Sequence, residues 1–190
     1  MKTKLVFTFL FIFISLVVTK AQSRGTTLLQ AGGGWTSVAI EGVSARTNGY
    51  LINLGYEKFS TDNVSMGGSV HYLYANSNYT SVLTNGKATL WSVPIYFDAK
   101  YYLGQGKLKP FLKGSMGYQF SGRKLESNSG VVVTTTDSGI TVGLGAGVLI
   151  PLNEKMSLNL DYQWYWINNY YYSESSINSI SLNLVIKIGE

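Results

Sequence analysis

Apolar and polar residues alternate one for one along most of this chain. Near its end, Met156, Leu158, Leu160, Tyr162, Trp164 and Trp166 share one side of an extended segment, and Ser157, Asn159, Asp161, Gln163 and Tyr165 share the other. Ile180, Leu182, Leu184, Ile186 and Ile188 oppose Ser179, Ser181, Asn183, Val185 and Lys187 in the same way. Ile140, Val142, Leu144, Ala146, Val148 and Ile150 oppose Thr141, Gly143, Gly145 and Gly147. In mid-chain, Trp91, Val93, Ile95, Phe97, Ala99, Tyr101 and Leu103 oppose Ser92, Tyr96, Asp98 and Lys100, while Leu112, Met116, Tyr118 and Phe120 oppose Lys113, Ser115, Gly117 and Gln119. A period of two marks strands with unlike faces, and no segment after Gln22 keeps the longer period of a helix. Weaker repeats at Tyr50, Ile52, Leu54 and Tyr56, at Met66, Val70, Tyr72 and Tyr74, and over residues 26–36 bring the total to eight predicted strands. Each is about ten residues long, enough to cross a bilayer when tilted.

The connections alternate short and long. Residues 58–63, 104–109 and 152–155 are tight, with Asp62, Gly104, Gly106 and Asn153 as turn formers. Residues 37–47, 75–87, 121–137 and 168–178 are longer and rich in Ser, Thr, Asn and Gly. Short turns at one rim and long loops at the other are the pattern of a transmembrane barrel with its turns in the periplasm. Residues 131–136 are strongly β-prone, so the fifth and sixth strands are predicted to continue above the membrane as a ribbon, whose edges could recruit a partner strand. Tyr170, Tyr171 and Tyr172 in the last loop are candidate contacts, since tyrosine gives large contact area at low entropic cost.

The N-terminus carries an address. Lys2 and Lys4 precede residues 5–18, apolar apart from Thr8 and Ser15, and Thr19-Lys20-Ala21 offers a small-x-small exit. This reads as a signal peptide over 1–21, removed to leave a barrel domain over 22–190. The apolar run falls short of the roughly 20 residues of a membrane helix, and no cysteine follows it to carry a lipid anchor.

Composition then narrows the functions. With no cysteine and one histidine in 190 residues, disulfide scaffolds and thiolate metal sites are excluded, and no metal or cofactor is expected. The net charge of +5 falls to +2 without Lys2, Lys4 and Lys20 (12 basic against 10 acidic), so no nucleic-acid partner is indicated.

Volume decides which face points inward. An eight-stranded barrel has room inside only for packed side chains or one small ligand. The bulky apolar set is therefore assigned to lipid and the small polar set to the lumen. A soluble lipocalin-like carrier would invert this. Trp35, Tyr74, Trp91, Tyr101, Trp164 and Trp166 lie near strand ends, as an interfacial aromatic girdle does. The lumen set includes His71 and six charges, Glu57, Asp98 and Asp161 against Lys100, Lys113 and Lys187. A symmetric hairpin after Leu103 places Lys100 opposite Lys113 with Asp98 diagonal to it, which predicts a salt-bridged, largely closed lumen. A narrow diffusion pore is the alternative. His71 is expected beside Ser92 with Asp98 about 20 Å away, too far to orient a catalytic imidazole. No catalytic residue is assigned; a lipid-modifying enzyme would need His71 to meet a loop serine or carboxylate at the outer rim. Gly143-Leu144-Gly145-Ala146-Gly147 lies within an alternating strand and reads as small lumen residues, not a phosphate loop.

Val93-Pro94-Ile95 through Tyr101-Tyr102-Leu103, then Lys109-Pro110-Phe111 and Gly114-x-x-Gly117-Tyr118, resemble the middle of small outer-membrane β-barrels of the OmpA/OmpX-like, porin-like family. The resemblance implies an all-β, antiparallel up-and-down barrel in the outer membrane of a Gram-negative bacterium, with a structural, adhesive or host-interaction role. It further implies contact with outer-membrane lipid and lipopolysaccharide, host or surface ligands on the loops, and a monomer. Three departures stand out. The chain ends Ile186-Lys187-Ile188-Gly189-Glu190 without a terminal aromatic, Pro94 inside a strand predicts a local bulge, and there is no C-terminal peptidoglycan-binding domain.

Overall fold

The computed structural model describes residues 24–39, 46–80, 85–104, 106–168 and 175–189. Residues 1–21 and Tyr170, Tyr171 and Tyr172 lie outside them. Eight strands follow in order: β1 (Thr27–Val38), β2 (Thr47–Phe59), β3 (Val64–Thr80), β4 (Asn85–Tyr102), β5 (Lys109–Ser127), β6 (Val132–Pro151), β7 (Met156–Asn168) and β8 (Ser175–Gly189). Each pairs antiparallel with the next, and β8 returns to β1, so the sheet is a closed up-and-down barrel. The tight turns sit at one rim. Asn153 Oδ1 accepts from the backbone N–H of Lys155 (2.9 Å) and Met156 (2.8 Å), and Thr61 Oγ1 accepts from Val64 N (3.1 Å).

The strands run to between 12 and 20 residues, longer than predicted, because two segments assigned to loops are paired. Asn76 to Asn78 ladder with Lys87 to Thr89, and Gly122 to Glu126 ladder with Val132 to Thr136. Connections remain only at 81–84 and 128–131, rather than over 75–87 and 121–137. Beyond the bilayer the outer face no longer has to be apolar, so alternation fades while backbone pairing continues. Among the described residues, β6 joins β7 only from Ile140 opposite Asn168, and β2 reaches β3 only at Gly49 opposite Ala75. Above those points β3 to β6 form a four-stranded extension. Among the described residues, no strand lies along the outer edge of β6 over 132–139.

Trp91, Phe97, Leu160 and Leu184 point outward, 36%, 58%, 46% and 38% exposed, as the volume argument requires. Pro94 makes no bulge. Register with β5 runs unbroken from Val93 opposite Phe120 to Ile95 opposite Tyr118. Its missing N–H shows only on the other side, where the ladder with β3 lapses at His71 and Tyr72 and resumes in the same register. The irregularity of the barrel falls at Thr27/Leu28 against β8.

Candidate functional site

The lumen is stacked in three layers. At the rim of short turns, the end that a transmembrane barrel keeps on the periplasmic side, Leu28, Phe59, Tyr102, Phe111, Leu149 and Val185 form an apolar floor. Toward the exterior, Val38, Leu51, Leu73, Leu90, Ile167 and Ile177, with Ala75, Tyr96 and Tyr165, form a second one. Glu57, His71, Asp98, Lys100, Lys113 and Asp161 are buried between them. The apolar layers were not read from sequence, though a signal exists: Leu28-Leu29, Leu51-Ile52 and Leu149-Ile150 are apolar on both faces near strand ends. Flat rings require glycine on the next strand. A Cβ on Gly143 would lie 2.5 Å from the Tyr165 ring, and one on Gly147 2.5 Å from Phe111. The glycine-rich run thus makes room for lumen aromatics.

In the ionic layer, Lys100 Nζ lies 2.9 Å from Glu57 Oε2 and 5.0 Å above the Phe111 ring. Tyr102 and Ser65 hydroxyls donate to the same Glu57 carboxylate at 3.0 and 3.1 Å. Lys100 and Lys113 are register partners, and Lys113 Nζ reaches Asp98 at 3.2 Å and Asp161 at 3.9 Å. Ser115 and Ser69 donate to the two oxygens of Asp98, and Gln163 donates to Asp161. Lys187 departs from expectation. Two residues beyond Val185, it sits half-buried at the periplasmic mouth, outside the floor. Among the described residues, the charges buried between the two apolar layers are therefore three carboxylates and two ammonium groups, not three of each.

His71 also departs. The hairpin centre lies farther along the chain than a 75–87 loop implies, so Leu73, not His71, faces Ser92. Asp98 is not remote either: Ser69 donates to Asp98 and shares a 3.1 Å hydrogen bond with His71 Nε2. The serine stands between acid and imidazole, so the acid does not orient the ring for proton abstraction. His71 packs edge-on to Tyr96 and Tyr165, which stack at 4.7 Å, beneath the outer apolar layer.

Outside, Trp35, Tyr50, Tyr74 and Trp91 adjoin through the register of β1 to β4 and form one arc of a girdle near the exterior rim. Tyr50, which sequence reasoning left out, stacks on Tyr74 at 5.3 Å. Trp164 and Trp166 stack at 6.3 Å on β7, and Trp91 lies over Gly122. Tyr101 lies at the opposite rim, beside Val64 and Leu112. Above the girdle, the β3–β6 extension carries exposed Val131, Val132 and Val133. There the Lys124 ammonium, hydrogen-bonded to Glu126, holds that carboxyl below its usual range.

Comparison with known proteins agrees with this architecture. No curated protein matches the chain. Among solved structures, Neisserial surface protein A superposes with a TM-score of 0.62 at 13% identity, covering 85% of this chain and 97% of that one. Ail, the attachment invasion locus protein of Yersinia pestis, gives 0.57 at 12%, covering 87% and 99%. The N-terminal β-barrel domain of Pseudomonas aeruginosa OprF gives 0.51 at 15%, covering 88% and 100%. The model of the outer membrane protein beta-barrel domain matches residues 9–184, so the chain belongs to that family and is a barrel of the bacterial outer membrane.

Proposed function

We propose that the protein is a surface-binding, adhesive barrel: residues 1–21 direct export and are removed, the closed lumen is scaffold, and the extension of β3 to β6 makes the contacts. The observation that carries this reading is the outer edge of β6 over 132–139, which has no strand beside it among the described residues. An extended partner segment can hydrogen-bond to such an edge. Residues 132–136 are Val, Val, Thr, Thr and Thr, with no lysine or proline to block pairing. The fold neighbour Ail has also been solved with the heparin analogue sucrose octasulfate. A pore reading is opposed by the packed layers, and a catalytic one by the Ser69 interposed between His71 and Asp98. Lipopolysaccharide is the surrounding lipid, and the barrel acts as a monomer.

Arg123 and Thr135 are register partners, so residues 124–134 can be replaced by an Asn-Gly turn without disturbing the barrel below. Bacteria displaying the shortened protein are expected to lose attachment to host-cell or matrix surfaces, while heat-modifiable gel migration shows the barrel intact. Attachment equal to that of the unaltered protein rules the reading out.

A further inference from the structure

Among the described residues, the outer edges of β6 over 132–139 and of β3 over 76–80 have no strand beside them. An edge has a direction, and direction limits what pairs with it. Odd-numbered strands climb from the rim of short turns and even-numbered strands descend, so β6 runs down from its tip at Val132 while β3 runs up to Thr80.

Two copies in one membrane do not join along these edges. A two-fold axis along the membrane normal sets two β6 strands parallel with equal residues at equal height, so N–H faces N–H and C=O faces C=O. A parallel ladder needs a stagger that this axis forbids. Joining β6 to the β3 edge of a neighbour is antiparallel, but it brings the barrel walls beneath to about 4.8 Å. Sheet faces that carry exposed side chains such as Trp166 and Tyr50 pack about 10 Å apart.

A copy in a facing membrane meets neither obstacle. It presents β6 in the opposite direction, and a two-fold axis perpendicular to the sheet makes a closed, antiparallel pair with the two barrels at opposite ends. Continuing the alternation of exposed Ile140 and buried Thr141, Thr134 and Thr136 lie on the outer face and Thr135 on the inner. The axis sets outer face beside outer face, so it passes through a residue. Centred on Thr135, the pair takes up residues 132–138: Thr135 meets its own copy, Thr134 meets Thr136, Val133 meets Asp137 and Val132 meets Ser138. Opposed threonines are favourable cross-strand partners. Asp137 is the single charge in this stretch and lies about 14 Å from its copy, so no like charges are opposed. Many copies on each of two facing surfaces add up, which lets a weak single pair hold.

We propose, resting on the adhesive reading above, that the protein binds a second copy of itself on a facing cell, the two β6 edges pairing antiparallel about Thr135 while each barrel stays a monomer in its own membrane.

The test mixes cells that carry the protein with cells that lack it, each labelled in its own colour. Carriers are expected to clump and to leave non-carriers dispersed. Dispersed carriers, or clumps that take up both colours equally, overturn the proposal. Thr134→Lys with Thr136→Lys, and Thr134→Glu with Thr136→Glu, each oppose four like charges in a self pair, so either variant alone should lose clumping. Mixing the two should restore it, because every introduced lysine then meets an introduced glutamate. Variants that show heat-modifiable migration and stay dispersed when mixed overturn the pairing. Should either fail to fold, the two-colour sorting of the unaltered protein decides. Host-surface attachment is read on the same cells: carriers that attach without clumping sink this inference and leave the adhesive reading standing, whereas carriers that clump without attaching support it.

Discussion

Lys113 shows how much a single lumen side chain carries. Its ammonium is buried with Asp98 at 3.2 Å and Asp161 at 3.9 Å, and it is the nearer cation to both. Breaking a buried pair leaves an uncompensated charge, which costs about 3–5 kcal/mol. Lys113→Ala is therefore expected to destabilise the barrel by about that amount in vesicle-based urea unfolding. The double variant Lys113→Met with Asp98→Asn removes one charge of each sign and should recover most of the loss, because Ser69 and Ser115 can still bond the amide at that position. A double variant as unstable as the single one would show that the amine matters for packing rather than charge.

At the scale of strands, glycine and aromatic positions are matched across the sheet. Phe111 lies over Gly147, its register partner, where an added Cβ would also meet the Leu160 carbonyl oxygen at 2.4 Å. Backbone cannot yield as a flexible side chain does, so Gly147→Ala should cost about 1–3 kcal/mol by the same unfolding assay. Gly114 has open space around its Cβ position and serves as the control, with little change expected for Gly114→Ala. This matching marks where sequence reading stopped. Strand number, facing and short turns were legible because lipid enforces strict alternation over Trp91 to Leu103 or Met156 to Trp166. The ends were not, since residues 76–80 and 122–127 leave that constraint while still pairing. Within the lumen, polar residues were visible as types, but which carboxylate meets which lysine depends on register. A hairpin centred too early moved His71 away from Asp98, and the floor of Leu28, Phe111 and Leu149 was hidden because each is apolar like its lipid-facing neighbour.

For the whole molecule, the lumen decides between scaffold and conduit. An ion crossing it would have to pass the layer around Leu51, Leu73 and Ile167, displace Lys100 and Lys113 from their carboxylates, and then part Phe59, Tyr102 and Phe111. The polar step is the most demanding, because separating Lys100 from Glu57 at 2.9 Å exposes two desolvated charges in a space already filled by side chains. Opening one apolar layer would leave that step in place. Phe111→Ala is accordingly expected to remain closed in planar bilayers, as is the unaltered protein. Current should arise only when Glu57→Gln and Lys100→Met are combined with Phe111→Ala, which removes the ion pair and opens the floor at that ring while keeping the net charge. A steady, large conductance from the unaltered barrel would contradict the closed lumen and return the protein to the diffusion pores. A silent triple variant that still folds would show that the outer layer alone suffices to seal it.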